Sequence, residues 1–260
     1  LHGRAGALPE KLAPLWMFEV EEGIEAGAAI VDGVVYVGAL DGRLYAVALA
    51  DGSRMWAYEA TDEIKASPSV HKGVVYVGDA SGVFHAVDAA TGKARWTFEA
   101  ESEIVSSANF HDDRILFGSN DQFLYCLKTD GSLAWKIETG GYVYGTPSIV
   151  EGTAYSAGCD GYLRAIDIAS GEEKQQILLN AYIGASPAIR DGVAYMGTFE
   201  NQVVAVDLRK GEQIWAYENP ERQFPYLSSA ALGEDRLFVG GRDKSVHAIK
   251  LEDGSPLWSY

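Results

Sequence analysis

The sequence has little cysteine, few histidines and no long apolar run. Cys126 and Cys159 are its two cysteines, and neither lies in a CxxC or CxxH spacing, so no disulfide framework or zinc motif is predicted. We interpret both as small buried hydrophobic residues. The five histidines are scattered along the chain and predict no metal cluster. Because no apolar run reaches about 18 residues, we expect no direct insertion into a membrane.

Positive charge is also scarce. The chain has 21 lysines and arginines against 37 aspartates and glutamates, for a net charge of -16. Nucleic-acid binding depends on clustered cations that displace counterions from phosphates, so a nucleic-acid partner is excluded. Anionic membrane surfaces are disfavoured for the same reason. Two interpretations of the acidity stay open: attraction of a basic partner, or a surface that is simply soluble.

Glycine and tyrosine, in contrast, are abundant. The chain has 29 glycines and 14 tyrosines among short apolar runs, a composition that favours strands and tight turns. No set of serine, cysteine and histidine suggests nucleophilic catalysis, and no phosphate-binding glycine loop precedes a helix. The composition therefore predicts an all-β protein.

One phrase recurs along the whole chain. "LDGRLYAVALADGSRMW" at 40–56 returns as "ASGVFHAVDAATGKARW" at 80–96. The tryptophans fall at one position of this repeat, at intervals of 39 or 40 residues and of 43 before the last, with Gln175 where one is due. They are Trp16, Trp56, Trp96, Trp135, Trp215 and Trp258. Such a period is typical of solenoids, arrays and propellers.

Each repeat reads as four short strands that are apolar on both faces, which predicts sheets packed between other sheets. The third turn of every repeat carries a glycine, as expected where the backbone is left-handed. The tryptophan of the fourth strand is expected to lie between adjacent sheets, so Gln175 marks a weaker joint. The pattern predicts a single β-propeller domain over 1–260. Its blades would be 21–60, 61–100, 101–139, 140–179, 180–219 and 220–260, after an outer strand of an incomplete blade at 15–20.

The phrases "AVDAATGKARW" (86–96), "AIDIASGEEKQ" (165–175) and "AVDLRKGEQIW" (205–215) resemble the A-x-D-x-x-T-G-x-x-x-W signature of the pyrroloquinoline quinone (PQQ)-like propeller repeat. The resemblance covers residues 15–260. Relatives with this repeat commonly have seven or eight blades, which implies an intact ring of that size. The alternative is a six-bladed ring with the N-terminal strand added at an edge. The resemblance also implies an extracytoplasmic, periplasmic location.

Two groups of residues are candidate sites. In a propeller, the connections from fourth to first strands share an upper face with the turns between second and third strands, and ligands usually bind there. An acidic ring is expected on that face, formed by Asp41, Asp121, Asp160, Glu200 and Asp243, with Ser81 in the second repeat. It would hold a cation or a basic peptide, or else each acid caps its own turn.

The second candidate is the connection "NPERQFPYLSS" at 219–229, which contains most of the extra residues of the 43-residue interval. Arg222, Gln223, Phe224 and Tyr226 mix aromatic, cationic and amide groups in the way that protein interfaces do. We interpret them as a partner-binding loop. The alternative is a loop that packs over the top of its blade or into the central channel.

The resemblance is compatible with two classes of protein, an enzyme and a binding scaffold. Quinoprotein dehydrogenases hold the quinone against a tryptophan floor with a calcium ion, an aspartate base and usually adjacent cysteines. This sequence has no tryptophan outside the packing position and no Cys-Cys pair, so no cofactor, metal or catalytic residue is predicted. It resembles more the propeller lipoproteins of outer-membrane β-barrel assembly, or sensor propellers. We therefore expect a non-catalytic scaffold that binds a protein or peptide; a PQQ-dependent dehydrogenase and a structural spacer are the alternatives.

Overall fold

The structure is a computed structural model that describes residues 13–260, in which 24 strands form six four-stranded antiparallel sheets. Each sheet is a meander of four consecutive strands. No helix within 13–260 is long and apolar enough to cross a membrane.

The first three blades take up the chain to Glu138. The first comprises β1 (Ala29–Val31), β2 (Val34–Gly38), β3 (Arg43–Ala48) and β4 (Arg54–Glu59). The second comprises β5 (Ser69–His71), β6 (Val74–Gly78), β7 (Val83–Asp88) and β8 (Ala94–Glu99). The third comprises β9 (Asn109–His111), β10 (Arg114–Gly118), β11 (Phe123–Lys128) and β12 (Leu133–Glu138).

The last three blades continue without a break in the pattern. The fourth comprises β13 (Ser148–Val150), β14 (Thr153–Ala157), β15 (Tyr162–Asp167) and β16 (Glu173–Leu178). The fifth comprises β17 (Ala188–Arg190), β18 (Val193–Gly197), β19 (Gln202–Asp207) and β20 (Glu212–Glu218). The sixth comprises β21 (Ala231–Leu232), β22 (Arg236–Gly240), β23 (Val246–Lys250) and β24 (Pro256–Ser259).

Burial follows the order of strands within a blade. First strands of neighbouring blades contact one another, as β9 contacts β13 and β13 contacts β17. The middle of each third strand is buried, whereas fourth strands such as β4 alternate exposed and half-buried residues. Apolar side chains therefore fill the space between sheets, as expected for strands that are covered on both faces. Cys126 is fully buried, but Cys159 is only partly buried, which corrects its interpretation as a core residue.

Five of the six tryptophans pack on the blade that follows them in the chain. The Trp56 indole Nε1–H donates to the Ala89 carbonyl of the second blade at 3.0 Å. Its ring covers Gly92, where an added Cβ would lie 2.7 Å from ring carbon atoms. The same pairs of carbonyl and turn glycine receive the other tryptophans: Leu49 and Gly52 receive Trp16, Thr129 and Gly131 receive Trp96, Ile168 and Gly171 receive Trp135, and Leu251 and Gly254 receive Trp215.

Two tryptophans differ in their surroundings. Trp258 is 46% exposed and packs only on Phe238 of its own blade among the aromatic residues described. Trp16 makes the usual contacts with the first blade, and Phe18 and Val20 pack beside it against the same blade. Residues 15–20 form no strand pairing within the described chain. Their assignment as an outer strand, and the number of blades in an intact ring, stay predictions.

Candidate functional site

The upper face is built by connections that bridge neighbouring blades. The Ala80 N–H donates to the Glu63 carbonyl within the second blade at 2.9 Å, while the Ile64 N–H donates to the Ala39 carbonyl of the first blade at 3.0 Å. Ile64 itself is fully buried. This arrangement fixes the backbone of each connection, so the side chains that point up from it are displayed on a rigid frame.

The predicted acidic ring consists of carboxylates that are bonded within or beside their own turns. Asp41 accepts hydrogen bonds from the Arg43 N–H at 3.0 Å and from the Tyr45 hydroxyl at 2.6 Å. Asp121 repeats this arrangement with Phe123 and Tyr125. These bonds satisfy the carboxylates and order the turns.

The other three acids also have partners, some in their own turn and some in the connection that precedes their blade. Asp243 accepts from the Ser245 N–H at 3.0 Å and lies 2.8 Å from Nε2 of His247. Asp160 forms a buried ion pair with Arg164. Glu200 is exposed and accepts from the N–H of Tyr182 at 3.0 Å. Within 13–260, no group of three or more His, Cys, Asp or Glu side chains is placed to hold a metal ion. Four of the five acids cap their own turns, and Glu200 accepts from the connection before its blade.

The second blade also has a carboxylate that caps this turn, but it lies at a position that the repeat pattern did not indicate. Asp79, two residues before Ser81, is completely buried. Its carboxylate accepts from the Val83 N–H at 2.8 Å, the Thr61 N–H at 3.1 Å and both the N–H and hydroxyl of Ser81, and it lies 2.9 Å from Nε2 of His85. Burial alone raises the pKa of Asp79, but the hydrogen bonds from His85, Val83 and Ser81 outweigh it and lower the pKa below its ordinary value.

The two buried histidines link blades. Nδ1 of His85 lies 3.0 Å from the hydroxyl of Tyr58 in the first blade. Nδ1 of His247 lies 3.2 Å from the hydroxyl of Tyr217 in the fifth blade. Both rings are about 1% exposed, so they are structural residues of the interface between sheets and are out of reach of a ligand.

Tyr226 does not belong to an exposed partner-binding set, which corrects the prediction made for this loop. It is 1% exposed and packs against Tyr217 and His247. Its N–H donates to the Thr198 carbonyl at 3.0 Å, the bond that Ile64 makes in the second blade. The repeat contained this signal, because Tyr226 occupies the position of buried apolar residues in earlier blades: Ile64, Ile104, Val143 and Ile183.

The rest of the predicted loop is exposed. Phe224 is 47% exposed, and Arg222 and Gln223 also face solvent. An Arg222 Nη1–H donates to the Asp243 carbonyl at 3.1 Å, and Asn219 donates to the carboxylate of Asp243 at 2.8 Å. The loop is therefore anchored to its own blade while it presents Phe224 outward.

An aromatic surface on the tops of the fourth to sixth blades was not predicted. We define it as Tyr142, Tyr144, Tyr182, Phe199 and Phe224. Tyr142 is 47% and Tyr182 56% exposed. The Tyr142 and Tyr144 rings pack edge to face with centroids 5.8 Å apart. The Phe199 ring lies 2.9 Å from the place where a Cβ of Gly184 would be, so glycine is required for the close approach.

The equivalent surface of the second and third blades is polar. Glu63 and Glu103 occupy the repeat position of Tyr142 and Tyr182. Both carboxylates pair with Lys65, at 3.3 and 3.1 Å, and the Asn120 amide donates to Glu103 at 3.0 Å. The upper face is thus divided into a polar half and an aromatic half. The repeat shows this only in the residues that differ between blades.

The six meander sheets, the turn glycines and the tryptophan joints define a β-propeller of PQQ-like repeats. The chain belongs to the family described as outer membrane protein assembly factor BamB, whose model matches residues 4–110 and 85–225. The fold is similar to the crystal structure of BamB from Moraxella catarrhalis, with a TM-score of 0.79 and 22% identity over 94% of this chain and 74% of that one. A 68-residue segment is 38% identical to the beta-alanine-activating enzyme of Mus musculus, covering 24% of this chain and 6% of that protein.

The residues present do not fit a quinone and its calcium ion. Five of the six tryptophans cover turn glycines of the next blade, and their indole N–H groups are bonded to backbone carbonyls there. They form no floor under a cavity. A quinone site also needs several convergent polar groups beside a metal, whereas four of the five acids of the predicted ring cap separate turns.

Proposed function

We propose that this chain is a non-catalytic scaffold that binds a protein or peptide through its aromatic surface and acts outside the cytoplasm in the assembly of outer-membrane proteins. The observation that carries the proposal is the aromatic half of the upper face, which displays Tyr142, Tyr182 and Phe224 half exposed on a rigid frame. Membership of the BamB family supports the assembly role.

Aromatic side chains suit this purpose physically. A tyrosine or phenylalanine buries much apolar area with few rotatable bonds, and such residues are enriched among those that dominate binding energy. The frame reduces the ordering cost on association, because the backbone of each connection is already bonded to two blades. Exposed apolar rings grouped on one face of a soluble domain are typical of an interaction site.

The charge of the chain indicates which partners are favoured. With a net charge of -16, the protein attracts basic segments over a distance and increases their rate of encounter. On the polar half, Glu63 and Glu103 share a single lysine, so negative charge remains beside the aromatic surface. We infer that the partner presents apolar side chains flanked by lysine or arginine.

A co-purification experiment with paired variants tests this function. The tagged chain is recovered from envelopes, and co-purified components of outer-membrane protein assembly are quantified by mass spectrometry. Changing Tyr182 and Phe224 together to serine removes two exposed anchors without opening the core, and we expect recovery to fall at least about tenfold. The matched control changes Met55 and Leu133, which are 53% and 46% exposed on outer strands, to serine.

The control pair should leave recovery unchanged, and circular dichroism should show that both pairs fold. Equal recovery with wild type and with the Tyr182 and Phe224 variant would mean that the aromatic surface does not bind the partner. An equal loss in both pairs would indicate a nonspecific effect of surface polarity and would also contradict the proposal.

A further inference from the structure

The joint between the fourth and fifth blades lacks the side chain that fills every other joint described. At those joints a tryptophan covers a turn glycine of the next blade and donates its indole N–H to a carbonyl there, and Trp56, Trp96 and Trp215 also pack on a tyrosine in the second strand of their own blade. Tyr195 and Trp215, for example, have ring centroids 5.8 Å apart. Gln175 takes this position in the fourth blade.

The groups that would receive an indole are nevertheless all present. Tyr155 has the position in the fourth blade from which Tyr195 packs on Trp215 in the fifth. Tyr155 is only half-buried, whereas Tyr195 is 6% exposed. Gly211 has the same left-handed backbone, with φ of 69°. The Leu208 carbonyl occupies the place of the Leu251 carbonyl, and among residues 13–260 no side chain donates to it.

Gln175 holds this place only loosely. Its Nε2 lies 3.2 Å and Cγ1 of Ile177 lies 3.6 Å from the point where a Cβ of Gly211 would be, so the amide covers only part of the glycine. The amide makes no hydrogen bond to any part of the chain that the structure describes, and its displacement would break none. An incoming ring therefore competes with water and with a weakly held side chain.

A cavity gives access to the joint. It measures about 570 Å³ and opens on the lower face, away from the aromatic surface. Tyr155 and Leu208 line it together with Ile189, and its charged lining consists of two arginines and two acids: Arg190, Arg209, Glu151 and Asp191. A corresponding cavity of about 500 Å³ lies at the joint of the fifth and sixth blades, where Trp215 is present. The cavity is thus a feature of this face, and what distinguishes the first one is that Gln175, not an indole, lies over the turn glycine beside it.

We propose that this joint binds the tryptophan side chain of a peptide segment from another protein. The indole packs on Tyr155 and over Gly211 and donates its N–H to the Leu208 carbonyl. The occupant is specified by the chain itself, because five other joints show which ring fits these contacts. The site lies on the other face from the aromatic surface and does not depend on the function proposed for it.

Titration with N-acetyl-tryptophanamide, followed by calorimetry and by amide chemical shifts of Leu208 and Gly211, tests the site. We expect saturable binding of one molecule and at least tenfold weaker binding of N-acetyl-leucinamide. Gln175→Trp should fill the place from within, abolish binding and raise the Tm. Absence of saturable binding to wild type, or undiminished binding to Gln175→Trp, overturns the proposal.

Trp215→Gln is the matched variant, since it empties an equivalent joint that has its own cavity. We expect it to bind two molecules of N-acetyl-tryptophanamide and to gain Tm in its presence. If Trp215→Gln does not fold by itself, refolding that occurs only with N-acetyl-tryptophanamide would also show that the emptied joint binds an indole. A stoichiometry that remains one, with no change in Tm, means that these joints do not accept an indole from outside and overturns the assignment.

Discussion

Replacing Gly92 with alanine is expected to lower the free energy of unfolding by about 3 to 5 kcal/mol. The residue has φ of 69°, a conformation that costs about 1 kcal/mol when a Cβ is present. The larger effect comes from Trp56, whose ring carbon atoms lie 2.7 Å from the position of that Cβ. The ring must withdraw, which loses its buried area and the hydrogen bond to Ala89.

Gly73→Ala is the matched control. Gly73 has φ of 74°, but no atom lies within 4 Å of its added Cβ. It should therefore lose only the backbone contribution, about 1 kcal/mol. Urea unfolding of both variants, with midpoints and slopes compared with wild type, separates the two contributions. Equal losses would mean that the contact with Trp56 adds nothing.

The repeat predicted only some features of the joints between blades. One glycine in every third turn indicated a left-handed backbone, and the structure has positive φ at Gly52 and Gly92. The spacing also indicated that tryptophans lie between sheets. That the glycine of one blade and the tryptophan of the preceding blade touch each other was not predictable, because it depends on how far one sheet is rotated against the next.

In the candidate sites, the repeat position alone did not identify the residues that carry the contacts. The repeat position of the acids is Ser81 in the second blade, which conceals Asp79. The Asp79 carboxylate reaches the third-strand His85 from two residues earlier in the turn than Asp41 reaches Tyr45 in the first blade. Tyr226 was predictable as a core residue from Ile64 in the equivalent position. The extra residues at 219–229 shift Tyr226 relative to the 40-residue period, which hides its equivalence to Ile64.

The aromatic surface was missed for the opposite reason. A residue type that repeats in every blade marks a structural feature, since each blade must pack in the same way. Tyr142 and Tyr182 replace Glu63 and Glu103 at a single repeat position. A binding surface on one side of a ring requires such differences between blades, and their exposure depends on the loops around them.

Asp79→Ala is expected to destabilise the protein by about 3 to 5 kcal/mol, the cost of leaving buried donors without an acceptor. The backbone N–H groups of Thr61, Ser81 and Val83 and the ring of His85 all lose their partner. Asp51→Ala is the control, because Asp51 is exposed and accepts only from Ser53. Urea midpoints at pH 7 should change much less for Asp51→Ala.

The pH dependence of this difference identifies the charge as its source. The pKa of Asp79 in the folded protein is lower than in the unfolded chain, where aspartate titrates near pH 4, so its stabilisation is fully present above that pH. As the pH falls through the lower, folded pKa, the native carboxylate is protonated and this contribution disappears. The gap in unfolding free energy between wild type and Asp79→Ala should therefore narrow below about pH 4. A gap that stays constant down to pH 2 would show that Asp79 stabilises the blade by its shape and neutral hydrogen bonds alone.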